Sequence, residues 1–116
     1  MAQIKDHFNR VAAVGCVVCG QAAEIHHATG GSMLDRGVAR GMSQKVSDWL
    51  VIPLCPTHHR GRLGIHTMTV PDWEHCFGEQ AAHLDGLCAD LEIDLWSLAK
   101  QPKERKYTRP TKVMPR

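Results

Sequence analysis

Apolar residues recur at helical spacing near the start of the chain. Ile4, Phe8, Val11 and Ala12 fall at i, i+4, i+7 and i+8, one stripe of an amphipathic helix over 3–13. Gly15 ends it. The pattern then changes period. Ala22 to His27 reads as a short strand, broken by Thr29-Gly30-Gly31-Ser32, and Trp49 to Leu54 reads as a second strand. Between them, residues 30–48 carry Gly30, Gly31, Gly37 and Gly41 with little apolar periodicity, which predicts a flexible loop. Cys55-Pro56 turns the chain. Thr57 is the expected N-cap of a short helix starting near His58 and kept short by Gly61 and Gly64. A further helix is expected from Pro71, with Pro in its first turn, to Gly78. Leu84, Leu87, Cys88, Leu91, Leu95 and Leu98 then form a core-facing stripe, with Asp94 placed to cap a separate last turn.

The chemistry concentrates between Ala23 and His66. Five of the eight histidines lie there: His26 and His27 on the first strand, His58 and His59 after the second, and His66. Cys16-Val17-Val18-Cys19 stands just ahead, and Cys55 with His58 forms a C-x-x-H pair. Structural zinc takes four such ligands in two short-spaced pairs, so Cys16, Cys19, Cys55 and His58 predict a zinc cage clamping the two strands together. Cys76 and Cys88 sit on helical apolar faces and are expected in the core. Adjacent residues of a strand point to opposite faces, so His26 and His27 cannot both bind one ion. One is expected to bind metal and the other to face a reacting phosphate. His59 is placed to complete that metal site, and His66 is a third candidate. Outside this motif, His7, His75 and His83 are expected to be surface or satisfied histidines, and Trp49 and Trp73 core residues.

Composition narrows the setting. The 116 residues set the scale of one domain, and 43% apolar content allows only a modest core. A domain of this size gains from a metal. No apolar run approaches the roughly 18 residues of a membrane span, and the N-terminus lacks an apolar signal region. The expected compartment is the cytoplasm, where five cysteines, an odd number, stay reduced. Net charge is only +2, but it is unevenly spread. Arg36, Arg40, Lys45, Arg60 and Arg62 surround the motif with Asp48 as the only acid among them. Seven acids and no Lys or Arg occupy 72–94, and 102–116 is a basic, Pro-interrupted tail expected to be flexible. The two basic zones, one on each side of the acidic segment, predict faces that meet a polyanion.

In order and spacing, Cys16-x-x-Cys19, Ile25-His26-His27, Ile52-Pro53-Leu54-Cys55-Pro56-Thr57-His58-His59 and Gly64-Ile65-His66 resemble an HNH (ββα-metal, His-Me finger) endonuclease. In particular they resemble the phage and bacterial Ref family of recombination-enhancing, RecA-dependent nucleases. The similarity runs from the end of the first helix to Leu98. It implies an α+β fold: a small zinc-supported ββα-metal core over 1–101 with flanking N- and C-terminal helices. By this resemblance His27 is the general base, and His26 and His59, with His66, hold a catalytic Mg²⁺ or Mn²⁺. Cys16, Cys19, Cys55 and His58 are the structural Zn²⁺ cage. The middle Asn of the motif has no match in Ser47-Asp48-Trp49-Leu50; Asp48 stands there to orient the His27 ring or to tie down the loop. The implied partner is DNA, cut to 5′-phosphate and 3′-hydroxyl ends, either as single strands or as displacement loops paired by a RecA filament. A monomer is expected, without membrane association. The alternative is a non-catalytic zinc-binding module that only binds nucleic acid.

Overall fold

The first helix, α1 (Ala2–Val14), packs on a two-stranded antiparallel sheet, β1 (Glu24–His27) and β2 (Val51–Leu54). A computed structural model describes residues 2–38 and 47–100. The register pairs Glu24 with Leu54, Ile25 with Pro53, His26 with Ile52 and His27 with Val51. Every residue of β2 is buried, as befits a strand covered by α1 on one side and by a C-terminal helix on the other. The second strand is two residues shorter than its apolar run predicts. Trp49 and Leu50 instead lie in a turn closed by Leu50 N–H donating to Ser47 O at 3.1 Å.

Two local expectations are corrected. The segment after β1 is not all loop: Ser32–Asp35 forms a one-turn helix, α2, with Ser32 and Met33 buried. Its sequence is too short to show a helical period, and tertiary burial of Met33 stabilises it. The helix after β2 is Pro56–His59, α3, with Cys55 rather than Thr57 at the N-cap. Proline at its first position needs no hydrogen-bonded N–H there, so the helix begins where the turn was expected.

The C-terminal half is helical: α4 (Val70–Phe77), α5 (Gln80–Leu91) and α6 (Leu95–Lys100). Thr69 caps α4 by accepting from Asp72 N–H at 3.2 Å. Asp94 caps α6 as expected, accepting from Ser97 N–H at 3.2 Å and from Ser97 Oγ at 2.8 Å. Of the predicted stripe, Leu84, Leu87 and Leu95 are buried, while Cys88, Leu91 and Leu98 are half-buried. Cys88 packs against the core, but Cys76 is exposed: α4 turns Trp73 inward instead. Trp73 is 0% exposed, between Phe77 and His83. Trp49 is half-buried and lies 4.9 Å from the His7 ring. No described helix is long and apolar enough to cross a membrane. The tail from 102 lies outside the described residues.

The buried Nε1–H of Trp73 has no hydrogen-bond partner among the described residues. Trp73→Ala is therefore expected to cost about 3–5 kcal/mol. Trp73→Phe is expected to cost much less, because it removes the unpaired donor along with part of the ring. Urea unfolding checks both; equal losses would contradict this account of the position.

Candidate metal centre

The knuckle that holds Cys16 and Cys19 is built on two glycines with positive φ, Gly15 (91°) and Gly20 (79°). A Cβ on Gly15 would sit 2.9 Å from the Gly20 carbonyl oxygen, so the turn closes only with glycine there. Cys16 N–H donates to Gln21 O at 2.9 Å and Gly20 N–H to Cys16 O at 2.8 Å. Val17 N–H donates to Pro53 O at 3.0 Å, which ties the knuckle to β2. Cys55 N-caps α3 and His58 lies within it, its ring 5.0 Å from Phe77.

These two turns bring the four predicted cage residues together. Cys19 Sγ lies 3.6 Å from Cys55 Sγ, Cys55 Sγ 3.2 Å from His58 Nδ1, and Cys16 Sγ 3.9 Å from His58 Nδ1. All four ligand atoms lie within 4.8 Å of one another. A tetrahedral zinc with Zn–S near 2.3 Å and Zn–N near 2.0 Å sets edges of roughly 3.5–3.8 Å. The cysteines are free thiols. Burial pushes the Cys16 thiol up, but N–H groups of Cys55, Cys19 and Val18 outweigh it and favour thiolate. The Gln21 backbone pulls Cys19 down, yet burial and the neighbouring Cys55 and Cys16 leave it raised. A cation among these sulfurs would favour the thiolate form of each. The donor set fits a metal such as zinc.

A second cluster lies on the adjacent face. Strand alternation places Glu24 and His26 on one side of β1 and His27 on the other. His26 is buried (4% exposed), and its ring lies 5.1 Å from both His59 and His66. His59 Nε2 and His66 Nε2 are 3.1 Å apart. His66 reaches this position because the chain after α3 folds back on it: Ile65 N–H donates to His58 O and His66 N–H to His59 O, both at 3.0 Å. A Cβ on Gly64 would come within 2.6 Å of the His59 carbonyl carbon, so only glycine allows that return. His26, His59 and His66 each present a nitrogen to one point, a second group able to hold a metal.

Two of these rings, His59 and His26, have a partner outside the cluster. His59 Nδ1–H donates to Glu24 Oε1 at 2.7 Å, and Glu24 also accepts from Arg60. Arg60 first, then His59, hold the Glu24 carboxyl down at about 2. His26 Nε2 bonds Gln80 Oε1 at 3.0 Å. Burial above all lowers the His26 pKa to about 4, against a raising contribution from Gln80. His66 is lowered by burial and by His59. Neutral imidazoles are the ligating form. Glu24 and Gln80 were not singled out in the sequence. Two-residue alternation from His26 offers a signal for Glu24, whereas Gln80 lies 54 residues away and leaves none.

On the opposite face, His27 Nε2–H donates to Asp48 Oδ1 at 2.8 Å, with side chains 43% and 46% exposed. Asp48 therefore orients the ring, one of its two expected roles. The His27 ring meets Phe8 edge-on at 6.0 Å. His7 is buried and its Nε2–H donates to Trp49 O at 3.2 Å. His83 Nε2–H donates to Phe77 O at 2.9 Å, and His75 is exposed. Among the basic candidates, Arg36 pairs with Asp85 and stacks 4.8 Å from the Trp96 ring centre. Arg60 is held by Glu24, Arg62 is exposed, and Arg40 and Lys45 lie outside the described residues.

The sequence profile of one family, "Protein of unknown function (DUF968)", matches residues 2–94. The chain belongs to that family. No curated protein and no solved structure matches it. The matched span contains both Cys/His clusters, the His27–Asp48 pair and Gln80.

Two outcomes are expected. Elemental analysis of purified protein should find a tightly held zinc that Cys16→Ser loses together with the fold; a folded, zinc-free wild type would contradict the cage. The second concerns pH. Above 6.5 the His26 ring is neutral both folded and unfolded. Between 6.5 and about 4 only the unfolded chain takes up its proton. Stability should therefore fall as pH falls through that window, by on the order of 3 kcal/mol in full. Comparing urea midpoints of the wild type and His26→Gln across the window isolates this contribution. Parallel profiles would contradict it.

Proposed function

We propose that this protein is a metal-dependent endonuclease of the HNH (ββα-metal) type that hydrolyses DNA phosphodiester bonds. One observation carries the reading. Neighbouring residues of one strand serve two different constellations: His26 joins the His59–His66 cluster, while His27 pairs with Asp48 on the other face. Their order along β1, β2 and α3 is the order of the HNH motif that the sequence resembles.

The residues divide the work as follows. His27 donates its Nε2–H to Asp48, which leaves the Nδ1 lone pair to take a proton from water. Its exposure lets both water and substrate reach it. Asp48 holds the ring in one tautomer. His26, His59 and His66 would hold a divalent ion. When bound, that ion neutralises the phosphate and stabilises the leaving 3′ oxygen. Glu24 accepts from His59 Nδ1–H and so directs Nε2 inward. Cys16, Cys19, Cys55 and His58 would hold zinc and fix α3 against the strands. Because His58 and His59 are consecutive, the cage sets the position of the catalytic cluster directly.

Arg62, Arg40 and Lys45 are the candidate phosphate contacts, with Arg36 and Arg60 available once their carboxylate partners yield. Recognition through the backbone implies weak sequence preference. DNA presented by a RecA filament is the substrate form that the resemblance points to, and 5′-phosphate ends are the expected products.

Incubation with Mg²⁺ or Mn²⁺ and plasmid, single-stranded DNA or RecA-coated displacement loops tests the proposal. Cleavage is expected in at least one mixture. His27→Ala should reduce it by about 10²–10⁴-fold while zinc content and folding stay unchanged. Binding without cleavage under every metal would favour the non-catalytic nucleic-acid-binding module. Equal cleavage by His27→Ala would remove His27 from the mechanism.

A further inference from the structure

Gln80 is a fully buried amide at the start of α5, and every polar atom of its side chain is engaged. Its Nε2 faces three acceptors: Thr29 O at 2.9 Å, Glu74 Oε2 at 3.4 Å and Gly30 O at 3.5 Å. Its Oε1 faces the Thr29 N–H at 3.3 Å and His26 Nε2 at 3.0 Å. The amide has only one workable orientation. Flipping it would set the oxygen against three acceptors and the NH₂ against an N–H.

That orientation is itself braced. The Glu74 carboxylate accepts from the Gln80 backbone N–H at 2.9 Å, from Ser32 Oγ at 2.7 Å and from Ser32 N–H at 3.0 Å. Ser32 Oγ in turn accepts from Ala81 N–H at 3.1 Å. Gly31, ahead of Ser32, has φ 49°, and a Cβ there would run into Glu74. The loop after β1, α2, α4 and α5 thus converge on one amide.

With Oε1 fixed as an acceptor, the imidazole nitrogen 3.0 Å away must be the N–H. We infer that Gln80 is a positioning residue that holds His26 in the Nε2–H tautomer, so that Nδ1 is its metal-ligating atom. The cluster then offers a mixed donor set: Nδ1 from His26, and Nε2 from His59 and His66. His59 is locked the opposite way round, because Glu24 takes its Nδ1–H. Two outer partners of different chemistry, a neutral amide and a carboxylate, select different nitrogens on two ligands of one ion. The buried site receives the neutral partner, where a second carboxylate would stand against Glu74. This inference rests on the metal reading of the cluster, and its test separates the two.

The ¹⁵N-labelled, zinc-containing full chain is examined at neutral pH by long-range ¹H–¹⁵N correlation of the imidazoles, with His26 identified by its absence in His26→Gln. A protonated, pyrrole-like Nε2 and a pyridine-like Nδ1 are expected for His26. Co²⁺ is then titrated into the wild type and Gln80→Met. The variant should bind it about 10–100-fold more weakly while keeping its zinc and its unfolding transition. His26 protonated on Nδ1, or Co²⁺ affinity unchanged in Gln80→Met, would overturn the role of Gln80. Should Gln80→Met not fold, the wild-type spectrum decides alone. A wild type that binds no Co²⁺ at the three histidines overturns the metal reading and the ligand role together, whereas Co²⁺ binding with the opposite tautomer overturns the Gln80 assignment only.

Discussion

The described fold is organised around the convergence of three sulfurs and one imidazole nitrogen. Cys16 and Cys19 come from a turn after α1, Cys55 and His58 from the turn after β2, and their ligand atoms lie within 4.8 Å of one another. A cation held there would cross-link segments far apart in the chain. Among the described residues the sheet beneath has two strands of four residues each, and an isolated pair of that size is marginal in water. A metal held by these four side chains would add what the small core lacks.

The cage also sets the second cluster. His58 and His59 are consecutive on a one-turn helix, so fixing one ring fixes the base of the other. The other two histidines of that cluster arrive by different means. His26 comes by strand alternation, which also sends His27 to the opposite face. His66 comes by a return of the chain over α3 that Gly64 permits. The division between His58, engaged with cysteines, and His59, engaged with Glu24 and His66, follows from this geometry.

Much of this was legible in the sequence because the cysteines and histidines occur in short-spaced pairs and the strands show a clear period. Cys16, Cys19, Cys55 and His58 could be paired from spacing alone. The split of His26 from His27 followed from the two-residue period. Other features depend on tertiary packing, which leaves no local pattern. Ser32–Asp35 is helical because Met33 is buried. Cys76 is exposed because α4 rotates Trp73 inward. Gln80 reads as an ordinary polar position at a helix start, yet it is buried against His26. Arg36 and Arg60 read as free cations until the fold places Asp85 and Glu24 beside them. Charge counts carry no information about such long-range pairs.

The central claim is that neighbouring histidines belong to two separate metal centres. Anomalous diffraction from crystals grown with Mn²⁺, recorded at the zinc and manganese edges, tests it most directly. The account predicts a zinc peak enclosed by Cys16, Cys19, Cys55 and His58, and a distinct manganese peak among His26, His59 and His66. A single peak ligated by both His58 and His59, or an ion at neither cluster, would contradict it.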